Sequence, residues 1–275
     1  MSDDDAAHYV RGLALDIAVD LSGWTAGHRL GVFRRRIAPV QMTWIGYSGT
    51  TGLAEMDYIV CDGTVLPPDA LAPRPAPKPG RTVFGSFNNL AKLTDEVIET
   101  WCAILRRVDG SLLVLRARPL SDDEMKREVG KRFVERGLAP QRLLLEGNET
   151  RKGMLAAYRK IDIALDPFPY GGTTTTFEAL AMGVPLVTLA GGRWTARVGA
   201  SFLNTVGLGE LIASSPADYV DRAVALAADS AHLTDLRATL ADRVAESPLC
   251  AVGAFTRDFE DLLRRVWAAR RTGSD

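Results

Sequence analysis

Residues 161–188 constrain the fold more than any other part of the chain, because they predict a strand, a turn, a helix start and a second strand in direct succession. The apolar run 161–165 contains β-branched residues and is typical of a buried parallel strand. Gly171 and Gly172 then permit a sharp turn, since they carry no Cβ. Thr173 to Thr176 offer N-caps for a helix, and residues 184–188 predict the next strand.

The glycine turn supports two interpretations. The first-turn N–H groups of a helix have no intrahelical partner and the helix dipole favours negative charge there, so the turn and the threonine hydroxyls suit a phosphate. The alternative is a threonine-capped helix without a ligand. Four successive threonines lower helix propensity, so they need a reason beyond helix formation. The segment has neither the Gly-Lys-Ser/Thr ending of a P-loop nor the Gly-x-Gly-x-x-Gly of dinucleotide-binding proteins.

Predicted strands and helices alternate through the C-terminal two thirds of the chain. Further strands are predicted at 83–87, 112–116 and 142–145, and helices at 95–107, 122–136, 154–160 and from 216 almost to the C-terminus. This alternation is typical of an α/β fold with a parallel sheet covered by helices on both faces. Ligands of such sheets bind at the carboxyl ends of the strands.

A proline-dense segment, residues 66–80, divides the chain, because it cannot form a helix or a central strand. Residues 1–65 contain strands predicted at 15–21, 41–46 and 58–61, about half of a Rossmann-like domain. We therefore expect a partial Rossmann-like segment at 1–65, a linker at 66–80, a complete Rossmann-like domain at 81–250 and a C-terminal helix at 251–275.

The composition narrows the class of protein. An apolar content of 47% predicts a globular chain, and a net charge of −1 argues against binding to nucleic acid or a membrane surface. Three scattered cysteines and three dispersed histidines predict neither a disulfide framework nor a metal site. The acidic N-terminus and the lack of a long apolar stretch predict a cytoplasmic protein.

Lys92 lies in the polar loop that follows the strand at 83–87. Its position predicts that it projects from the same sheet edge as the glycine turn. A single loop lysine is ordinarily just solvated. Together with a helix N-terminus on the same edge, however, it could clamp a diphosphate.

Several motifs resemble the catalytic region of O-linked N-acetylglucosamine transferases, and most closely their bacterial SPINDLY-like branch. They follow in the family's order over nearly the whole chain and comprise 20–27, 38–52, 56–58, 84–92, 166–188 and 197–201. The resemblance implies a GT-B-like α/β fold with one complete doubly wound Rossmann-like domain preceded by a partial one. It also implies an inverting, metal-independent glycosyltransferase without a cofactor, with UDP-N-acetylglucosamine (UDP-GlcNAc) as donor and Ser or Thr hydroxyls of proteins or peptides as acceptors.

The resemblance also implies roles for individual residues. Lys92 is expected to be the catalytic group and, with Asn89, to contact the diphosphate. At the helix start the implied nucleotide contacts are Thr173, Thr174 and Thr175, with Glu178 at the ribose. The implied sugar contacts are Thr25, Ile45 and Gly46.

The chain also departs from the family pattern. The catalytic region of the family begins upstream of Met1 and usually accompanies tetratricopeptide repeats, and Met154 stands where a histidine is expected beside the uracil. Two alternatives therefore stay open beside an active transferase. One is a catalytically impaired nucleotide-sugar-binding module, or a fragment completed by a separate chain. The other is a different GT-B enzyme acting on sugar nucleotides.

Overall fold

The computed structural model describes residues 1–23, 27–44, 53–60, 81–147 and 150–272. The helices are α1 (Asp3–Gly12), α2 (Leu30–Phe33), α3 (Asp95–Arg107), α4 (Asp123–Val134), α5 (Arg151–Ala157), α6 (Thr174–Ala181), α7 (Val198–Thr205), α8 (Pro216–Ala228), α9 (Ser230–Glu246) and α10 (Val252–Thr272). The strands are β1 (Ile17–Asp20), β2 (Val40–Trp44), β3 (Tyr58–Val60), β4 (Val83–Ser86), β5 (Leu112–Arg116), β6 (Leu143–Glu146), β7 (Ile163–Leu165), β8 (Leu186–Leu189) and β9 (Ile212–Ala213).

The described residues form two compact units, one drawn from Met1–Thr64 and Ala251–Asp275, the other from Val65–Cys250. In the first unit, β1, β2 and β3 form a parallel sheet in that order. Helix α10 packs on this sheet, where Val266 joins the buried side chains of β2. The ring of Trp44 stacks on Phe259 at a centroid distance of 5.0 Å. The apolar face of α10 is therefore buried against the strands, as expected of an amphipathic helix.

The second unit is built on a six-stranded parallel sheet in the order β6-β5-β4-β7-β8-β9. Counted from β4 as the first strand, this is the 3-2-1-4-5-6 order of a doubly wound fold. The core is formed by apolar residues from strands and helices, among them Phe84, Trp101, Leu113, Ile163 and Leu180. The chain reverses its direction of winding between β4 and β7, and ligands of doubly wound sheets bind at this point.

Side-chain caps set several helix starts. Thr94 accepts a hydrogen bond from the N–H of Val97 at the start of α3, and Asp122 caps α4. Several predicted bounds shift by one or two residues, and two predicted stretches differ more. Helix α5 begins three residues earlier than predicted because Thr150 caps it, and the C-terminal stretch is three helices because the chain breaks near 229 and 247–251.

Candidate functional site

Two loops meet at the carboxyl edge of the second unit's sheet. The first follows β4 and contains Asn88, Asn89 and a 3-10 helix at Leu90–Lys92. The second follows β7 and leads through the glycine turn into α6. Because β4 and β7 are hydrogen-bonded neighbours, both loops leave the sheet at its reversal point. The structure thus brings Lys92 and the glycine turn together, as the sequence predicts.

Lys92 lies against the glycine turn. Its Nζ donates to the carbonyl oxygen of Gly171 at 2.7 Å and to Oδ1 of Asn88 at 3.4 Å. The ammonium also lies 4.5 Å from the centre of the Tyr170 ring, within the range of a cation–π contact. Burial lowers the pKa of Lys92, while the carboxylate of Asp166 opposes this shift. The lysine is a half-buried cation whose charge is only partly exposed to solvent.

The two asparagines of the first loop occupy different positions. Asn88 lies inside the site, where its Oδ1 accepts from Oγ1 of Thr175 at 2.9 Å as well as from Lys92. Asn89 is exposed, and its Oδ1 accepts from the N–H of Ala91 at 3.0 Å. Asn88 therefore connects the lysine to the start of α6, a contact that sequence reasoning missed because it selected Asn89.

The threonines stand at the N-terminus of α6, where a dipole favours an anion. Thr173 is the N-cap residue, Thr174 is exposed, and Thr175 is half-buried beside Asn88. Glu178 lies one turn further along the helix and is buried. These side chains share one helix end, and Thr175 contacts the first loop.

Asp166, to which sequence reasoning gave no role, is buried beneath the turn and accepts several hydrogen bonds. Its Oδ1 accepts from the N–H of Gly172 at 2.7 Å and from Oγ1 of Thr176 at 3.3 Å. Its Oδ2 accepts from Oγ1 of Thr188 at 2.7 Å. Burial raises the pKa of Asp166 to about 6, although these hydrogen bonds and the charge of Lys92 lower it.

A cleft of about 380 Å³ opens beside the lysine, within the size range of small-molecule sites. Its walls include Asn89, Lys92, Thr94, Phe168 and Tyr170, which combine amide, cationic and aromatic surface. Polar groups with an aromatic wall suit a ligand that carries both charge and a ring.

The predicted sugar contacts Thr25, Ile45 and Gly46 lie outside the described residues, so their roles stay predictions. Among the residues that are described, no group of three or more His, Cys, Asp or Glu side chains is placed to hold a metal ion. No helix in the described part of the chain is both long and apolar enough to cross a membrane.

Comparison with known proteins identifies the family. The model of glycosyl transferase family 41 matches residues 1–73 and 77–259. Two plant relatives are probable UDP-N-acetylglucosamine–peptide N-acetylglucosaminyltransferases called SPINDLY. The protein of Oryza sativa subsp. japonica is 41% identical over 95% of this chain, and that of Solanum lycopersicum is 40% identical over 94%. The chain spans 31% of the length of each plant protein.

A solved structure of a mutant Thermobaculum terrenum O-GlcNAc transferase superposes on the whole chain with a TM-score of 0.91 and 36% identity, and the match covers 57% of that protein. This match confirms the expected GT-B-like α/β fold, and the family match confirms the resemblance predicted from the motifs. The chain therefore belongs to glycosyl transferase family 41.

Proposed function

We propose that this protein binds UDP-GlcNAc and transfers its N-acetylglucosamine to Ser or Thr hydroxyls of protein or peptide acceptors. The observation that carries the proposal is the meeting of Lys92 with the glycine turn and the N-terminus of α6 at the reversal point of a parallel sheet. Membership of family 41 and the names of the relatives support the choice of donor and acceptor.

The chemistry of transfer explains why a cation and a helix N-terminus suit this edge. When the bond from the sugar to the diphosphate breaks, negative charge grows on the departing UDP. An ammonium group and preoriented N–H groups stabilise that charge, and they do so more strongly in a partly desolvated site than in water. Lysine has three N–H donors, and its contacts with Gly171 and Asn88 use two of them. The remaining donor can serve a diphosphate oxygen. In this proposal Lys92 is the catalytic group.

The other site residues divide by their positions. We assign Asn89, Thr173, Thr174 and Thr175 to the nucleotide diphosphate, because they border the lysine or form the helix end. Glu178, one turn into α6, is assigned to the ribose. The sugar contacts remain those proposed from the family resemblance. Charge stabilisation by Lys92 and α6 would make a metal ion unnecessary, and transfer is proposed to invert the anomeric carbon.

Calorimetry with UDP and with UDP-GlcNAc tests the donor site. The wild-type protein is expected to bind both, and Lys92→Ala to weaken binding by about 10- to 100-fold, since a hydrogen bond to a charged group contributes about 1.5–3 kcal/mol. Lys131→Ala is the matched control, because Lys131 is 75% exposed on α4 and its replacement changes the net charge equally. If neither nucleotide binds, or if the two variants behave alike, the donor-site proposal is wrong.

A transfer assay tests the reaction itself. Radiolabelled UDP-GlcNAc is incubated with protein and peptide acceptors, with and without a metal chelator, and the product anomer is determined by NMR. Transfer that survives chelation and yields the inverted anomer supports the proposal in full. Donor binding without transfer to any acceptor would instead favour a nucleotide-sugar-binding module, or a chain that acts with a separate partner.

A further inference from the structure

Asp166 and Lys92 form hydrogen bonds with opposite ends of one peptide group. The carboxylate of Asp166 accepts from the N–H of Gly172 at 2.7 Å, and the ammonium of Lys92 donates to the carbonyl of Gly171 at 2.7 Å. That N–H and that carbonyl belong to the same planar peptide. Because the peptide is rigid, fixing the direction of its N–H also fixes the direction of its carbonyl.

The other contacts of Asp166 hold it in place from several elements. Thr176 on α6 and Thr188 on β8 donate to its carboxylate. Tyr219 on α8 donates to its main-chain carbonyl at 3.0 Å. Asp166 is fully buried, so it cannot itself touch a nucleotide in the cleft. Any effect it has on a ligand must pass through the turn or through its charge, which also favours the protonated form of Lys92.

We propose that Asp166 is a positioning residue that fixes the Gly171–Gly172 peptide and, through this peptide, the ammonium of Lys92 for binding a nucleotide diphosphate. The inference rests on the function proposed above. A charged acceptor on the N–H side polarises the peptide, which strengthens the hydrogen bond that its carbonyl accepts from the lysine. Without the carboxylate, the glycine peptide is free to rotate and the lysine loses its fixed acceptor.

The same strand provides a comparison for a purely structural role. Asp162 precedes β7 at the opposite end from Asp166 and is also buried. It accepts from the N–H of Val83 at 2.8 Å and pairs with Arg237 at 3.3 Å. Asp162 therefore stabilises the sheet far from the carboxyl edge, and its loss should leave the turn unchanged.

The charge of Asp166 gives the proposal a second readout. Because its pKa is raised to about 6, the carboxylate gains a proton as the pH falls through that value. Among the described residues the titratable groups facing it are Lys92, with a pKa lowered by burial, and Tyr219, with a pKa raised by burial. Neither the lysine nor the phenol changes charge on acidification, so the hydrogen bonds to Gly172, Thr176 and Thr188 weaken only because Asp166 is neutralised.

The experiment measures UDP-GlcNAc affinity by calorimetry for the wild-type protein and a set of variants. UDP-GlcNAc is preferred to UDP because both its phosphates are esterified, whereas a terminal phosphate titrates near pH 6. Asp166→Ala is paired with Asp162→Ala, and thermal unfolding of each is recorded. Thr188→Val removes one hydrogen bond to Asp166 from outside the turn, and Thr100→Val is its control, since buried Thr100 donates only within α3.

We expect Asp166→Ala to weaken UDP-GlcNAc binding by at least about tenfold, the ordinary effect of losing hydrogen bonds to a charged group. Thr188→Val should weaken binding by about threefold, the ordinary effect of losing one hydrogen bond. The Asp166→Ala/Thr188→Val double variant should bind no more weakly than Asp166→Ala alone, because Thr188 acts through the carboxylate. Asp162→Ala and Thr100→Val should lose thermal stability and keep their affinity. Wild-type affinity should fall as the pH drops through about 6, and Asp166→Ala should lose this dependence.

Several results would overturn the inference. They are equal affinity losses for Asp162→Ala and Asp166→Ala, an effect of Thr188→Val that persists without Asp166, or tighter binding at acid pH. If Asp166→Ala does not fold, an unchanged UDP-GlcNAc affinity of Thr188→Val would also overturn the inference. A wild-type protein that binds no UDP-GlcNAc overturns this inference together with the proposed function. Binding that is indifferent to Asp166 overturns this inference alone.

Discussion

Gly172→Ala tests whether the turn requires a glycine for reasons of space. A methyl group at this position would lie 2.5 Å from the Oγ1 atoms of both Thr175 and Thr176, and 3.1 Å from Oδ1 of Asn88. Real Cβ atoms essentially never approach other atoms within 3.0 Å, so each hydroxyl must move by at least 0.5 Å, the difference between 3.0 and 2.5 Å. Both hydroxyls donate within the site, to Asn88 and to Asp166, and the shift strains those hydrogen bonds.

The expected cost follows from these contacts. Inserting a methyl group into a well-packed region costs about 1–3 kcal/mol of unfolding free energy. Replacing glycine by alanine also restricts the unfolded chain, which stabilises the folded protein by about 0.4–1 kcal/mol. Gly192→Ala isolates the first contribution, because a methyl group there meets nothing within 4 Å and the restriction of the unfolded chain is the same. Gly172→Ala should therefore be less stable than Gly192→Ala by about 1–3 kcal/mol.

Urea denaturation followed by circular dichroism measures this difference, and calorimetry with UDP-GlcNAc measures its effect on the site. Gly172→Ala should also bind the nucleotide about tenfold more weakly or worse, since the displaced hydroxyls belong to the site. Gly192→Ala should bind as the wild-type protein does. Equal stability and equal affinity of the two variants would refute the reasoning, because the turn would then have room for a side chain.

Three further outcomes are expected. Because the pKa of Asp166 is raised, its contribution to stability is fully present below about pH 3.8 and is lost as the pH rises through about 6. The free energy of unfolding of Asp166→Asn, measured relative to wild type by urea titration, should therefore rise by about 2 kcal/mol between about pH 4.5 and 7.5. Asp162→Ala, which leaves the buried Arg237 without its carboxylate, should lower the unfolding free energy by about 3–5 kcal/mol, and adding Arg237→Met should recover part of the loss in the same titrations. Burial raises the pKa of Cys102 to about 11, so mass spectrometry after maleimide treatment near pH 8 should find this thiol unlabelled in folded protein and labelled in urea.

Local patterns predicted most of the second unit. Helix α3 has the predicted bounds because Thr94 caps its start and its apolar residues follow the helical period. The glycine turn and the start of α6 also lie where their residue types place them. Helix α1 was missed although its signal was present, since Ser2 and Asp5 have the spacing of a capping box.

Contacts between distant residues could not be predicted in this way. The partners of Asp166 on β8 and α8 lie 22 and 53 residues away from it, and nothing in their local sequence shows that one binds its carboxylate and the other its main-chain carbonyl. The choice between Asn88 and Asn89 depends on the direction in which the backbone leaves β4, and two adjacent residues of the same type carry no signal of it. The roles of the predicted site residues themselves stay predictions until binding is measured.

The pairing of β4 with β7 makes the site a reporter of folding. Residues 81–147 supply Lys92, residues 150–250 supply the glycine turn, and the hydrogen bonds of Phe84 and Gly85 with β7 join these halves. Neither half contains both Lys92 and the glycine turn. Under the proposed function, a chain cut near residue 148 would bind nucleotide only as the reassembled pair, and the binding free energy would favour reassembly. Nucleotide binding would then measure the fraction of the two halves that has assembled into one sheet.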